Sequence, residues 1–165
     1  MISKFALAFV LAAASAGAAS AQTADLQVGQ AFGGWVFQCN AVGQDKTLCA
    51  FGTTVMSSDK KRVVVDMRIS RPKADAPFMM SAMLPLGLNI QAGVKTSVDG
   101  ADPIDVPLRA CFAKGCVASM ELDDATLAAL RAGTDLSLQF DIAGKTVTAG
   151  MKLEGLNDAL TAAAW

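Results

Sequence analysis

The chain has 165 residues, with 14 Lys and Arg against 15 Asp and Glu and a formal net charge of −1. This balance argues against the strongly basic surface of a nucleic-acid-binding protein. The chain contains neither His nor Tyr, which excludes Ser-His-Asp and Cys-His catalysis, His metal ligands and proton transfer by imidazole.

The N-terminus predicts a secretory signal peptide over residues 1–21. Lys4 precedes an apolar run from Phe5 to Ala14, and small residues follow as far as Ala19-Ser20-Ala21. Basic, apolar and small-residue regions in this order are typical of such signals. The apolar run is shorter than the ~20 residues that span a bilayer, although an uncleaved anchor is the alternative. We therefore expect residues 22–165 to form one mature domain, periplasmic, secreted or associated with the cell surface, without a further transmembrane segment.

Apolar and polar residues alternate with period two along most of the mature chain, which predicts half-buried β-strands. After a linker-like segment over residues 22–30, the predicted strands cover residues 35–39, 48–56, 63–69, 77–84, 94–98, 104–108, 136–142 and 147–153. The dipeptides Asp99-Gly100 and Ala143-Gly144 predict hairpin turns between neighbouring strands. Many short strands with frequent turns are typical of an antiparallel sandwich or barrel-like domain.

Two helices are predicted beside these strands. Asp123 or Asp124 is the expected N-cap of a short helix that places Leu127 and Leu130 on its inner face and stops at Gly133. The tail from Leu156 to Trp165 puts apolar residues on one face at helical spacing, namely Leu156, Ala159, Leu160 and Ala163. The expected fold is therefore mainly β, with one short helix and a C-terminal helix.

Four cysteines, Cys39, Cys49, Cys111 and Cys116, give an even count in the mature chain. An exported chain meets an oxidising compartment that favours disulfides, and three pairings are possible. We favour Cys39–Cys49 with Cys111–Cys116, because each pair flanks a short loop whose closure is worth ~2–3 kcal/mol. Neither spacing matches a C-x2-C zinc knuckle or a thioredoxin-like C-x-x-C site. We interpret both pairs as structural staples.

The carboxylates that an enzyme might use have structural explanations. Asp123 and Asp124 fit a helix cap near the positive end of the helix dipole. Asp99, Asp102 and Asp105 punctuate a predicted hairpin and its second strand. We therefore predict no catalytic residue and no enzyme activity, with a periplasmic carboxylate-dependent hydrolase as an alternative.

Two further clusters carry soft or basic side chains. Met79, Met80 and Met83 could suit copper(I), but strand alternation separates Met80 from the other two, which favours core filling. The run Lys60-Lys61-Arg62 beside Asp59 predicts a solvated turn. We expect Trp35 in the core, because Phe37 and Cys39 share its strand face. The sequence thus predicts no bound metal and no cofactor.

Several motifs together resemble the invasion-associated locus B proteins of alphaproteobacteria. They are the leader, FGGWVFQC at 32–39 with Cys49 ten residues on, MLPLGLNIQAGVKTSVDG at 83–100, RACFAKGCVASMELDDATLAALRAGTDLSLQF at 109–140, and MKLEGLNDAL at 151–160. The resemblance implies a small exported β-rich domain, in a family first associated with host-cell invasion.

Taken together, these patterns predict an exported, non-enzymatic binding domain. The expected partner is an envelope or host-surface protein or glycan. A link to host-cell invasion is implied by the resemblance alone. A purely structural envelope factor is a further alternative. A broad exposed apolar patch would favour a protein partner.

Overall fold

The computed structural model describes residues 26–43, 46–73 and 75–163, so the predicted signal peptide lies outside the described residues. Most of the described chain is β-strand, as the alternation predicts. The strands are β1 (Ala31–Phe32), β2 (Trp35–Gly43), β3 (Lys46–Met56), β4 (Val63–Ser70), β5 (Met79–Leu84), β6 (Val94–Val98), β7 (Ile104–Val106), β8 (Leu108–Phe112), β9 (Gly115–Glu121), β10 (Asp135–Ile142) and β11 (Lys145–Lys152). The helices are α1 (Asp124–Ala132) and α2 (Leu156–Ala162).

The strands form two antiparallel sheets. A large sheet has the order β1-β2-β3-β4-β5-β9-β8, and a small sheet has the order β11-β10-β6-β7. Both predicted hairpins are present, since β6 pairs with β7 and β10 pairs with β11. Alternate residues of most strands meet in one core, which includes Phe51, Ile69 and Met80 from the large sheet and Leu136 and Leu138 from the small one. The predicted antiparallel β-sandwich class is confirmed.

The small sheet lies across the large one, as the two ends of β11 reveal. At one end, the indole Nε1 of Trp35 in β2 donates a hydrogen bond of 3.1 Å to the carbonyl oxygen of Lys152. At the other end, Val147 lines a groove with Val63 and Val64 of β4. Because β2 and β4 lie on opposite sides of β3, β11 runs across these strands, an arrangement typical of orthogonally packed sheets.

Both helices cover the sandwich where β10 begins and β11 ends. The Asp123 carboxylate caps α1, accepting a 2.7 Å bond from the backbone N–H of Thr126. The predicted inner face of the tail helix is confirmed, because its four residues Leu156, Ala159, Leu160 and Ala163 are all buried. No helix of the described residues is long and apolar enough to cross a membrane.

The prediction of one strand over residues 104–108, around Pro107, is wrong. Residues 104–108 are not one strand: β7 ends at Val106 in the small sheet, and β8 begins at Leu108 in the large sheet. Proline has no backbone N–H to donate to a ladder, and here it marks the passage from one sheet to the other. The two strands that flank the Cys111–Cys116 loop, β8 and β9, were not assigned bounds from the sequence.

Candidate functional site

The cysteines form the two predicted disulfides, Cys39–Cys49 and Cys111–Cys116. In both cases the partners lie directly opposite each other on adjacent antiparallel strands. Gly115 has a φ of 146°, and a side chain there would meet the carbonyl oxygen of Leu84 at 2.4 Å, so the second hairpin needs glycine before Cys116. The thiols are therefore committed to covalent bonds that hold the sheet.

The acidic pair at the start of α1 lies at the helix N-terminus, where Asp123 is the N-cap. Hydrogen bonds from the Thr126 side chain and backbone lower the pKa of Asp123. Asp124 occupies the first turn of α1, where a negative charge is favourable. The pair thus has the structural role that the sequence predicts.

The aspartates near the β6–β7 hairpin have different partners, and Asp102 is exposed in the connection between the two strands. Asp99 accepts hydrogen bonds from the backbone N–H groups of Thr134 and Asp135. Asp105 instead forms an exposed ion pair with Lys95 at 2.6 Å. Within the described residues, no group of three or more His, Cys, Asp or Glu side chains is placed to hold a metal ion.

The methionines and the tryptophan lie where strand alternation predicts. Met80 is buried in the core, whereas Met79 and Met83 are partly exposed on the opposite face of β5. Core filling therefore describes Met80 but not its two neighbours. Trp35 is fully buried, which confirms that it is a core residue.

A groove of about 270 Å³ opens where the small sheet meets the ends of β3, β4 and β5. Its walls are mostly apolar, and it is lined by Val63, Val64, Pro85, Phe140, Ile142 and Val147, with Ser57 and Arg62 at its polar margin. The pairing between β3 and β4 shifts by one residue here, since Val55 pairs with Val65 but Met56 pairs with Val63. This bulge re-aims the strand, so that the consecutive residues Val63 and Val64 both line the groove.

Large apolar side chains remain exposed around this groove. Val63 retains 50% of its accessible surface, Leu86 retains 52% and Met56 retains 42%. Leu86 follows Pro85 in the chain, and Met56 pairs with Val63, so all three belong to one surface. Clustered exposed apolar residues of this kind mark interaction sites more often than isolated ones do.

The turn from Ser57 to Arg62 forms the polar margin and is internally ordered. The Asp59 carboxylate accepts hydrogen bonds from the Ser57 hydroxyl and from the backbone N–H of Lys61. These two bonds, with the Ser57 hydroxyl contributing most, lower the pKa of Asp59. Lys60, Lys61 and Arg62 are exposed, as the sequence predicts for a solvated turn.

Sequence reasoning did not identify this groove. One signal was available, because Val64 interrupts the alternation that runs from Val63 to Ile69. Such an interruption is compatible with a bulge. The contribution of Pro85, Ile142 and Val147, however, depends on long-range packing.

Comparison with known proteins identifies the family. The model of the invasion associated locus B (IalB) protein family matches residues 35–164. The chain belongs to the IalB family. The matched region includes all four cysteines, both helices and every residue of the groove. IalB is not a known enzyme family.

A solved structure is similar to this chain throughout the domain. The crystal structure of invasion associated protein B from Bartonella henselae matches with a TM-score of 0.68 and 27% sequence identity, covering 80% of this chain and 91% of the other. The search of curated proteins found no match. The resemblance that the motifs suggest is therefore confirmed at the level of family and fold.

Proposed function

We propose that this IalB protein is an exported, non-enzymatic binding protein that holds an apolar group of an envelope or host-surface component in the groove. The observation that carries the proposal is the groove itself, with Val63 and Leu86 half-exposed at its margin. Placing such residues in water is unfavourable by ~25 cal/mol per Å² of apolar surface, and a bound partner would remove that penalty.

Two features support an exported location. Residues 1–21 have the pattern of a signal peptide, and both disulfides suit an oxidising compartment. Intact mass of the protein recovered from a periplasmic fraction is expected to begin at Gln22. A full-length chain recovered from the cytoplasm would contradict export. The invasion role that the family name describes would require the exported protein to reach a host-facing surface.

Affinity capture from the native envelope tests the groove. The exported protein serves as bait, beside a variant carrying Val63→Ser and Leu86→Ser. Both residues are half-exposed, so we expect the variant to fold normally and to retain less than about one tenth of the captured component, by analogy with central apolar contacts in interfaces. The control is Val28→Ser, which removes a valine that retains 68% of its accessible surface from the segment before β1. Equal capture by the variant and the control would contradict a role for the groove.

A periplasmic hydrolase that uses carboxylates is the competing function. It predicts turnover of envelope glycans or peptides that disappears in Asp123→Asn or Asp124→Asn. Since the Asp123 carboxylate already caps α1, we expect neither substitution to affect the captured component.

A further inference from the structure

The end of the large sheet that carries the groove also concentrates basic side chains. The turn between β3 and β4 presents Lys60, Lys61 and Arg62. The turn between β8 and β9 lies at the same end, because Cys116 pairs with Leu84 immediately before Pro85, and it presents Lys114. Lys145 pairs with Ile142 of the groove. Five cations thus lie around one apolar surface in a chain whose overall charge is −1.

These lysines are not neutralised by ion pairs. The ion pairs found among the described residues are Asp66–Arg68, Lys95–Asp105 and Asp135–Lys152. Two carboxylates, Asp59 and Asp141, lie beside these five cations in the chain, so they offset only part of the positive charge. Asp59 accepts hydrogen bonds from the Ser57 hydroxyl and from the backbone N–H of Lys61. Asp141 accepts from the Thr146 hydroxyl. This end therefore presents positive charge to whatever approaches it.

Exposed apolar residues lie among these charges. Phe112 retains 61% of its surface at the end of β8 and precedes Lys114 by two residues. Leu86 lies at the same end of the sheet, just after β5, and β9 separates β5 from the strand of Phe112. The Cys111–Cys116 disulfide ties together the two strands that present Phe112 and Lys114. The result is a braced turn with an aromatic ring and a cation at its tip.

We propose that this end of the domain docks on an anionic lipid surface, with Phe112 and Leu86 inserting at the level of the headgroups and the lysines contacting their phosphates. This proposal rests on the proposed function, because it identifies the component bound at the groove as an anionic lipid. Apolar residues ringed by Lys and Arg are the combination that binds peripheral proteins to anionic membranes. An acyl chain or other apolar lipid group at this surface would meet the mostly aliphatic walls of the groove, and the phosphate would meet Arg62 at its margin.

Vesicle flotation tests the proposal with protein recovered after export, whose N-terminus is checked by intact mass so that an uncleaved leader cannot anchor it. We expect binding to vesicles of phosphatidylcholine mixed with phosphatidylglycerol and little binding to phosphatidylcholine alone. Raising the salt concentration is expected to release the protein, because exposed charges are screened. Equal binding to both vesicles, or binding to neither at low salt, would overturn the proposal.

Paired lysine substitutions locate the contact. A cation near an anionic surface contributes about fivefold in partitioning, so Lys61→Gln with Lys114→Gln is expected to weaken binding roughly 25-fold. The control, Lys46→Gln with Lys73→Gln, removes two exposed cations from the opposite end of the same sheet and is expected to change binding less than about twofold. An equal loss in both variants would mean that net charge alone matters and would overturn the assignment to this end.

Apolar substitutions separate docking from simple electrostatic attraction. Phe112→Ser with Leu86→Ser is expected to weaken vesicle binding at least tenfold, whereas Val28→Ser leaves it unchanged. Unaltered binding by the double variant would contradict insertion. If envelope capture yields a protein that depends on Leu86 while vesicles are not bound, the lipid assignment fails and the proposed function stands. If neither vesicles nor any envelope component is bound, both fail.

Discussion

The two ends of the β10–β11 hairpin differ in how far their apolar residues are covered. Where β10 begins, α1 and α2 cover the sandwich, and Leu130, Leu156 and Leu160 are almost completely buried. Where β10 ends, Ile142 lies in a groove whose margin leaves Val63 and Leu86 half-exposed. The protein thus covers one apolar end of the hairpin with helices and leaves the other end open. The uncovered end is the one to examine for binding, whereas the covered end is expected to serve stability alone.

The largest effect on stability is expected at the covered end. Leu156→Ala removes a fully buried side chain of α2 and is expected to lower the free energy of unfolding by about 2–5 kcal/mol, the range for such truncations in a core. Urea denaturation followed by tryptophan fluorescence measures this loss. A change below about 1 kcal/mol would mean that α2 is not part of the cooperative core.

The two disulfides are expected to differ in function more than in stability. Loop-closure entropy predicts losses of about 2.7 kcal/mol for Cys39→Ser with Cys49→Ser and about 2.1 kcal/mol for Cys111→Ser with Cys116→Ser, given their separations of 10 and 5 residues. Only the second pair braces the turn that carries Phe112 and Lys114. We therefore expect only its removal to weaken vesicle binding, and the reverse result would contradict the comparison. Non-reducing peptide mapping verifies the pairings.

The uncovered end is expected to tolerate polar substitution. Leu86→Ser changes a half-exposed side chain, and we expect the free energy of unfolding to change by less than about 0.5 kcal/mol, as is usual for surface positions. Comparison with Leu156→Ala in the same denaturation experiment makes the contrast direct. A loss of several kcal/mol on substituting Leu86 would show that this end is core and not a binding surface.

The smallest expected effect is a pH dependence at α1. Hydrogen bonds from Thr126 lower the pKa of Asp123 in the folded protein, so its contribution is present above the unfolded pKa of about 3.9 and is lost as the pH falls through the folded value. Asp123→Asn keeps the capping oxygen but removes the titration. The denaturation midpoint should therefore fall less between pH 7 and about pH 3 in the variant than in the natural protein. An identical fall in both proteins would contradict this role.

Local patterns in the sequence predicted much of the fold. Alternation located most strands because period two follows from backbone geometry, and the spacing from Leu156 to Ala163 placed the buried face of α2. The exchange of sheets at Pro107 was missed, since residues 104–108 have no local feature that says which sheet each belongs to. The groove was missed for the same reason, because Val63, Pro85 and Ile142 are brought together only when the small sheet crosses the large one.

The comparison between the two ends has one direct test, site-specific photocrosslinking in the living cell. A photoreactive residue replaces Leu86 at the groove in one variant and the exposed Ala128 of α1 in the other. We predict crosslinks to an envelope component from position 86 and none above background from position 128. Crosslinks from position 128 with none from position 86 would place the binding surface at the helix-covered end and contradict the account.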